Sequence, residues 1–336
     1  MRNRSQTTRA TLVSFLSLSL AISLSGVAAA RQHGKETAAA EAKSAKADAR
    51  ESASAKDAPL SFTRVGKGPA VVLIHGLGGD RAVWAPEILR LSDKYTVVAV
   101  DLPGHGLSAG PKAAPSAAPG QPAPPLIDLQ HVAQRIAKLI RDEKLAPAVV
   151  VGHSLGGQIA AWVPLVDRDA VRGVLLVDSS LSPPSFSDGD RTRLRADLKR
   201  DMISTLRRFY APMTSNTTQL DKIVASAQRV GPAVFMGYIE SAMSSELDDK
   251  VSNVQVPVHL LAGPMLIADN NDQTKAKLSL QALGVTNIRS FTYDYFPTSK
   301  HWLFWDEPER FRDDMDRFLS SVTRPAVSAT KSRPKL

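Results

Sequence analysis

Ala148-Val149-Val150-Val151-Gly152-His153-Ser154-Leu155-Gly156-Gly157 is the stretch on which the fold of this chain turns. Residues 149–151 form a short β-branched run suited to a buried parallel strand. Gly156, Gly157, Ala160 and Ala161 are small enough for a helix to start tight against it. Between the two stands one serine. Small residues on both sides let the backbone turn sharply and present the Ser154 hydroxyl at the carboxyl edge of a sheet, the posture of a nucleophile. The bare Gly-x-Ser-x-Gly spacing is weak by itself, so the flanking strand and helix carry the reading. A phosphate-cradling glycine loop is the alternative use of such a turn, but Gly-x-Gly-x-x-Gly and the phosphate-loop lysine are both missing here.

With 336 residues the chain can bury a full core. Of the formal net charge of +9, residues 1–58 hold +4 and residues 323–336 hold +4, which leaves +1 for everything between. A nearly neutral body argues against a nucleic-acid partner, and the basic ends read as solvated tails. The chain has no cysteine, which excludes disulfides, thiolate metal sites and a lipid-modified cysteine anchor. Arg2, Arg4 and Arg9 precede an apolar stretch over residues 12–27, and Ala28-Ala29-Ala30 supplies a small-x-small cleavage pattern. This tripartite pattern predicts a signal peptide over residues 1–30 and an exported protein, periplasmic or secreted. A retained anchor is the competing reading. The stretch is short and broken by Ser14, Ser17, Ser19, Ser23 and Ser25, which argues against a stable membrane span.

Residues 31–58 are almost entirely Ala, Lys, Glu, Ser and Asp, offer no apolar face and read as a disordered linker. A folded domain is expected over residues 59–322, followed by a basic tail over residues 323–336. Within the domain, strand-like apolar runs at 70–74, 96–100, 149–151, 173–177 and 256–261 alternate with amphipathic helical stretches. The pattern predicts an α/β fold: a mostly parallel central sheet with helices on both faces. Ligand sites in such sheets lie beyond the carboxyl ends of the strands, and His75, Asp101, Ser154 and Asp178 each follow a strand run at once. The Pro/Ala-rich residues 109–125 read as an extended loop framing the site entrance. Residues 181–250 lack a buried-strand pattern and read as an inserted helical cap, with a helical stretch over 191–210 that carries seven basic residues.

A serine hydroxyl needs a base to take its proton, and the base needs a third group to orient it. His301 is the best candidate base, since Ser299-Lys300-His301-Trp302 lies in a loop just before a helix-like run from Pro308. His33 falls in the linker, His131 on a helix and His259 inside a strand, while His75, His105 and His153 adjoin glycine turns and suit loop-holding hydrogen bonds. Trp84, Trp162, Phe186, Phe209, Tyr210, Phe235, Tyr238 and Trp302 are candidates for an apolar acyl pocket.

The chain resembles an α/β-hydrolase-fold serine hydrolase of the esterase or lipase kind. Four motifs in order carry the likeness: His75-Gly76-Leu77-Gly78-Gly79; Asp101-Leu102-Pro103-Gly104-His105-Gly106-Leu107-Ser108; the serine turn; and His301 followed by Asp306-Glu307-Pro308-Glu309-Arg310-Phe311. The resemblance implies that Ser154 attacks an acyl carbon, that His301 shuttles the proton, and that the amides of Leu77 and Leu155 form an oxyanion hole. It implies neither metal nor nucleotide cofactor, and it makes Asp101 and His105 loop stabilisers.

The chain departs from the family at the acid. Many members carry Gly-x-x-Asp after the late strand, whereas Gly263 is followed here by Pro264, Met265 and Leu266, with Asp269 and Asp272 further on. The family's other acid position is the end of the strand after the nucleophile helix, where Asp178 stands. Asp178 is the expected acid because its strand should neighbour the nucleophile strand; Asp272 is the alternative. A small-molecule carboxylic ester is the expected substrate. Amide, lactone and carbon-carbon bond hydrolysis, and a catalytically silent binding protein of the same fold, are the alternatives.

Overall fold

The computed structural model describes residues 58–111 and 126–324. The expected signal peptide, the linker up to residue 57, residues 112–125 of the expected entrance loop and the tail from residue 325 lie outside the described residues. Seven strands form one sheet: β1 (Phe62–Val65), β2 (Ala70–Ile74), β3 (Thr96–Val100), β4 (Ala148–His153), β5 (Val171–Val177), β6 (Val258–Ala262) and β7 (Phe291–Tyr295). Their order is β1-β3-β2-β4-β5-β6-β7. β1 runs antiparallel to β3, and every other neighbouring pair is parallel.

The interior strands are continuous apolar runs because both of their faces are covered. In β2, Val72 and Ile74 pack into one core while Val71 and Leu73 pack into the other. The first core is roofed by α2 (Leu129–Asp142) and α3 (Leu155–Val166). The second is roofed by α1 (Ala85–Leu91) and the carboxyl-terminal helix Pro308–Thr323, with Trp84 fully buried against Phe304 and Phe311. The edge strands β1 and β7 have no such run. Phe-Thr-Arg-Val and Phe-Thr-Tyr-Asp-Tyr are half-exposed, polar-interrupted sequences and lack the apolar run that marks an interior strand.

Five helices fill the chain between β5 and β6: α4 (Asp188–Arg200), α5 (Met202–Tyr210), α6 (Thr217–Gln228), α7 (Pro232–Met243) and α8 (Leu247–Lys250). The expected basic helical stretch over 191–210 is two helices. Asp201 ends α4 in a non-helical conformation (φ −151°, ψ 87°), and its carboxylate accepts from the Ser204 amide to start α5. The remaining helices are α9 (Gln273–Ala282), α10 (Leu303–Asp306) and α11 (Pro308–Thr323). Among the described residues no helix is long and apolar enough to cross a membrane.

The sheet order reverses between β2 and β4: from β2 the chain moves to β3 on one side, then crosses to β4 on the other. The crevice at such a switch point is where ligands bind in open α/β sheets. Ile74 pairs with Gly152, so the loop from His75 and the turn at Ser154 leave the same edge side by side. Closeness is enforced by glycine. A Cβ on Gly152 would stand 2.1 Å from the Gly156 carbonyl oxygen, and one on Gly156 would stand 2.4 Å from the His75 oxygen and 2.7 Å from the Ile74 oxygen. These neighbours are backbone and cannot rotate away. Gly156→Ala should therefore destabilise the protein by about 3 kcal/mol or more, at the upper end of overpacking costs. Denaturant unfolding measures this, and a loss below about 1 kcal/mol would show that the strand-to-helix junction is looser than described.

Candidate active site

Ser154 is the hinge between β4 and α3, at φ 54° and ψ −124°, a region non-glycine residues rarely occupy. Its conformation is locked from three directions. The Ser154 amide donates to the Val177 carbonyl (2.9 Å), and the Ser154 carbonyl accepts from the Gly157 amide (2.8 Å) and the Ser179 hydroxyl (2.7 Å). The Ser154 side chain makes no capping bond to its own helix, which leaves the hydroxyl for the cavity it borders. The Leu155 amide opens α3, and the first amides of a helix have no intrahelical acceptor.

Asp178 follows β5, and β5 pairs with β4 so that His153 lies opposite Val177. Its φ of 45° is again in the left-handed region, which aspartate tolerates better than most residues. The side chain is fully buried and both oxygens are engaged. Oδ1 accepts from the Gly263 amide (2.9 Å), and Oδ2 accepts from Nδ1 of His301 (2.6 Å). Asp272 and Asp269 lie elsewhere. Asp272 caps α9 through the Thr274 and Lys275 amides, which hold its carboxyl below the usual range, and both carboxylates face the Lys275 ammonium.

His301 is pinned through its own backbone. Its amide donates to the Met213 carbonyl (3.0 Å), and its carbonyl accepts from Nε2 of His153 (2.9 Å). Burial, with the neighbouring His301 as a smaller effect, pushes the His153 imidazole well below the ordinary histidine range, so it serves as a neutral donor. Asp306 and Glu307 hold the same loop. The Asp306 carboxylate accepts from the Lys300 amide, and Glu307 accepts from the Thr298 and Ser299 hydroxyls. In the sequence these acids stand only as part of the family-like motif that follows His301.

The loop after β2 is held by two more neutral histidines. Nδ1 of His75 donates to the Gly76 carbonyl (2.7 Å) while its Nε2 accepts from the Leu102 amide (3.0 Å). Nε2 of His105 accepts from the Gly78 amide (3.1 Å), and burial pushes its imidazole down to about 3. Asp101 organises the second loop, accepting from the Arg81 amide, the Arg81 guanidinium and the Leu107 amide.

Ser154, His301, Asp178, Leu77 and Leu155 all border one cavity of about 1320 Å³ between the sheet edge and the inserted helices. Of the eight aromatic residues singled out from sequence, Phe186, Phe209, Tyr210 and Trp302 line it. Trp84, Trp162, Phe235 and Tyr238 are buried outside its wall and serve packing. Met213 from the insertion, Met265 and Leu266 from the loop after β6 and Trp305 from α10 also line it and were missed, because only the folded arrangement of these segments brings them there.

Residues 71–314 match the alpha/beta hydrolase family. The pimeloyl-(acyl-carrier protein) methyl ester esterase of Pseudoalteromonas atlantica is 27% identical over 274 residues, 76% of this chain and 96% of its own. The 2-(acetamidomethylene)succinate hydrolase of Mesorhizobium japonicum is 35% identical over 119 residues, 35% of this chain and 38% of its own. Among solved structures, a thermophilic esterase from Thermogutta terrifontis matches in fold with a TM-score of 0.64 at 21% identity, covering 79% of this chain and 94% of its own. With the match running from β2 into α11, across the switch point and the inserted helices, the chain belongs to the alpha/beta hydrolase family.

Proposed function

We propose that this protein is a serine hydrolase that cleaves a carboxylic ester through an acyl-enzyme intermediate. The observation that carries the reading is the 2.6 Å bond from Nδ1 of His301 to the buried Asp178 carboxylate, on the wall of the cavity that Ser154 borders. It leaves Nε2 as the nitrogen for the Ser154 hydroxyl. Relatives named as ester hydrolases support the same substrate class.

Ser154 Oγ attacks the acyl carbon as its proton passes to Nε2 of His301. The negative charge that forms on the carbonyl oxygen is received by the Leu77 and Leu155 amides, aided by the amino-terminal end of α3. Collapse breaks the ester bond, and the leaving alkoxide takes the proton from Nε2. Water then gives a proton to Nε2 and attacks the acyl carbon. The bond to Oγ breaks, and the proton returns to Ser154 with release of the carboxylic acid. Asp178 keeps Nδ1 protonated and stabilises the imidazolium formed in each half. The bond from His301 to Asp178 favours catalysis over the rival reading, a silent binding protein. A cavity of about 1320 Å³, above the roughly 300–1000 Å³ of a typical small-molecule pocket, leaves room for esters of medium size. Lactones, as cyclic esters, would follow the same steps.

Ser154→Ala and His301→Ala should each lower turnover by roughly 10⁶, and the double variant by little more, because the members act as a unit. Steady-state kinetics with a chromogenic ester checks this, and comparable turnover by Ser154→Ala would sink the assignment. Asp178→Asn should lower kcat by about 10⁴, since the Gly263 amide would keep the Asn oxygen and leave its NH2 to donate to Nδ1, which holds the imidazole in the wrong tautomer. A loss of under tenfold would reduce Asp178 to a loop cap. We also propose export, supported by the basic, apolar and Ala-x-Ala pattern of residues 1–30. Amino-terminal sequencing of protein from its native host should begin near residue 31, and an intact Met1 on cytosolic protein would refute it.

A further inference from the structure

We propose that Tyr210, on the inserted helix α5, is a positioning residue for the Leu77 amide, an inference that rests on the oxyanion role given to Leu77 above. A planar trans peptide points its carbonyl and its N–H in opposite directions, so fixing one end of the unit aims the other. Leu77 lies between two such units. The upstream carbonyl, Gly76, accepts from Nδ1 of His75 (2.7 Å) and from the Gly79 amide (3.1 Å), which aims the Leu77 N–H away from both. In the downstream unit, the Gly78 amide donates to His105 (3.1 Å) and the Leu77 carbonyl accepts from the Tyr210 hydroxyl (2.8 Å). Three anchors come from loops at the sheet edge. The fourth comes from the insertion.

Tyr210 is built for that contact. It is buried, with its ring edge-on to Phe209 and Phe235, and burial raises its phenol far above the usual range, so it stays a donor. Gly78, at φ 72°, lies directly beneath it: a Cβ there would stand 2.5 Å from the Tyr210 hydroxyl. Three residues on, the Met213 carbonyl accepts the His301 amide (3.0 Å), and the Tyr210 ring also lies 6.1 Å from Trp302. One short stretch of the insertion thus braces both loops that carry the proposed chemistry, the Leu77 loop through a side chain and the His301 loop through a backbone carbonyl. Without the phenol, the Leu77–Gly78 unit can turn about the Leu77 Cα. The Gly76–Leu77 unit that bears the Leu77 amide is hinged on the same Cα and loses its downstream restraint, so the amide can drift off the line on which a developing oxyanion needs it. Such a donor works in the transition state more than in the ground state, so kcat should suffer and KM should not.

Tyr210→Phe removes only the hydroxyl. Rates are normalised to sites titrated with a fluorophosphonate, so a smaller folded fraction does not enter the comparison. The expected result is a fall in kcat of about tenfold, a fraction of the 10² to 10³ that follows complete loss of an oxyanion donor, with KM within about twofold. The inhibition constant of a trifluoromethyl ketone transition-state analogue should rise by the factor by which kcat/KM falls. Phe235→Leu loosens the same packing but keeps the phenol, and should lower the melting temperature while leaving the analogue's affinity per site unchanged. An unchanged kcat per titrated site in Tyr210→Phe, an unchanged analogue affinity, or equal weakening in both variants would overturn the proposal. Failure of the underlying reading shows differently: Ser154→Ala would then keep wild-type turnover.

Discussion

The backbone crossing between the end of β4 and the start of α3 is the constraint on which the rest depends. Gly152 and Gly156 bring strand and helix so close that no other residue type fits, and Ser154, caught between them, is driven into a conformation a serine would not choose. Such strain costs on the order of 1–3 kcal/mol and persists only where the surroundings hold it. Here they do, through Val177, Gly157 and Ser179. The same crossing sets α3 against the loop from His75, so one close contact fixes both the serine and the loop that carries Leu77.

Charge is handled economically around this junction. Three histidines, His75, His105 and His153, are buried and held neutral by desolvation, so each gives the loops a fixed donor or acceptor without adding charge near Ser154. The fully buried carboxylate of Asp178 has both oxygens met, one by a backbone amide and one by His301. An unpartnered carboxylate at that depth would be strongly destabilising, so the geometry that orients the imidazole is also what makes the acid tolerable there.

Much of this was legible in the sequence because it is local. A strand run that ends in small residues around a serine marks a tight strand-to-helix turn, and the apolar interior strands announce themselves. Asp178 was preferred over Asp272 because it follows a strand that should neighbour β4, and the β4–β5 pairing together with the bond to His301 agrees with that geometry. What escaped notice depends on distance along the chain or on weak patterning. β1 and β7 are half-exposed and interrupted by polar residues. The break at Asp201 is one capping side chain within a stretch of good helix formers. Tyr210 and Met213 reach loops more than 80 residues away, contacts that no periodicity encodes.

The central claim is that Ser154 is a nucleophile whose reactivity the fold creates. The most direct measurement is the intact mass of the protein after exposure to a fluorophosphonate, followed by mapping of the modified peptide. One adduct per chain, located on Ser154 and lost when the protein is first unfolded, is the predicted result. A folded protein that takes up no adduct, or takes it up at another residue, would contradict the account.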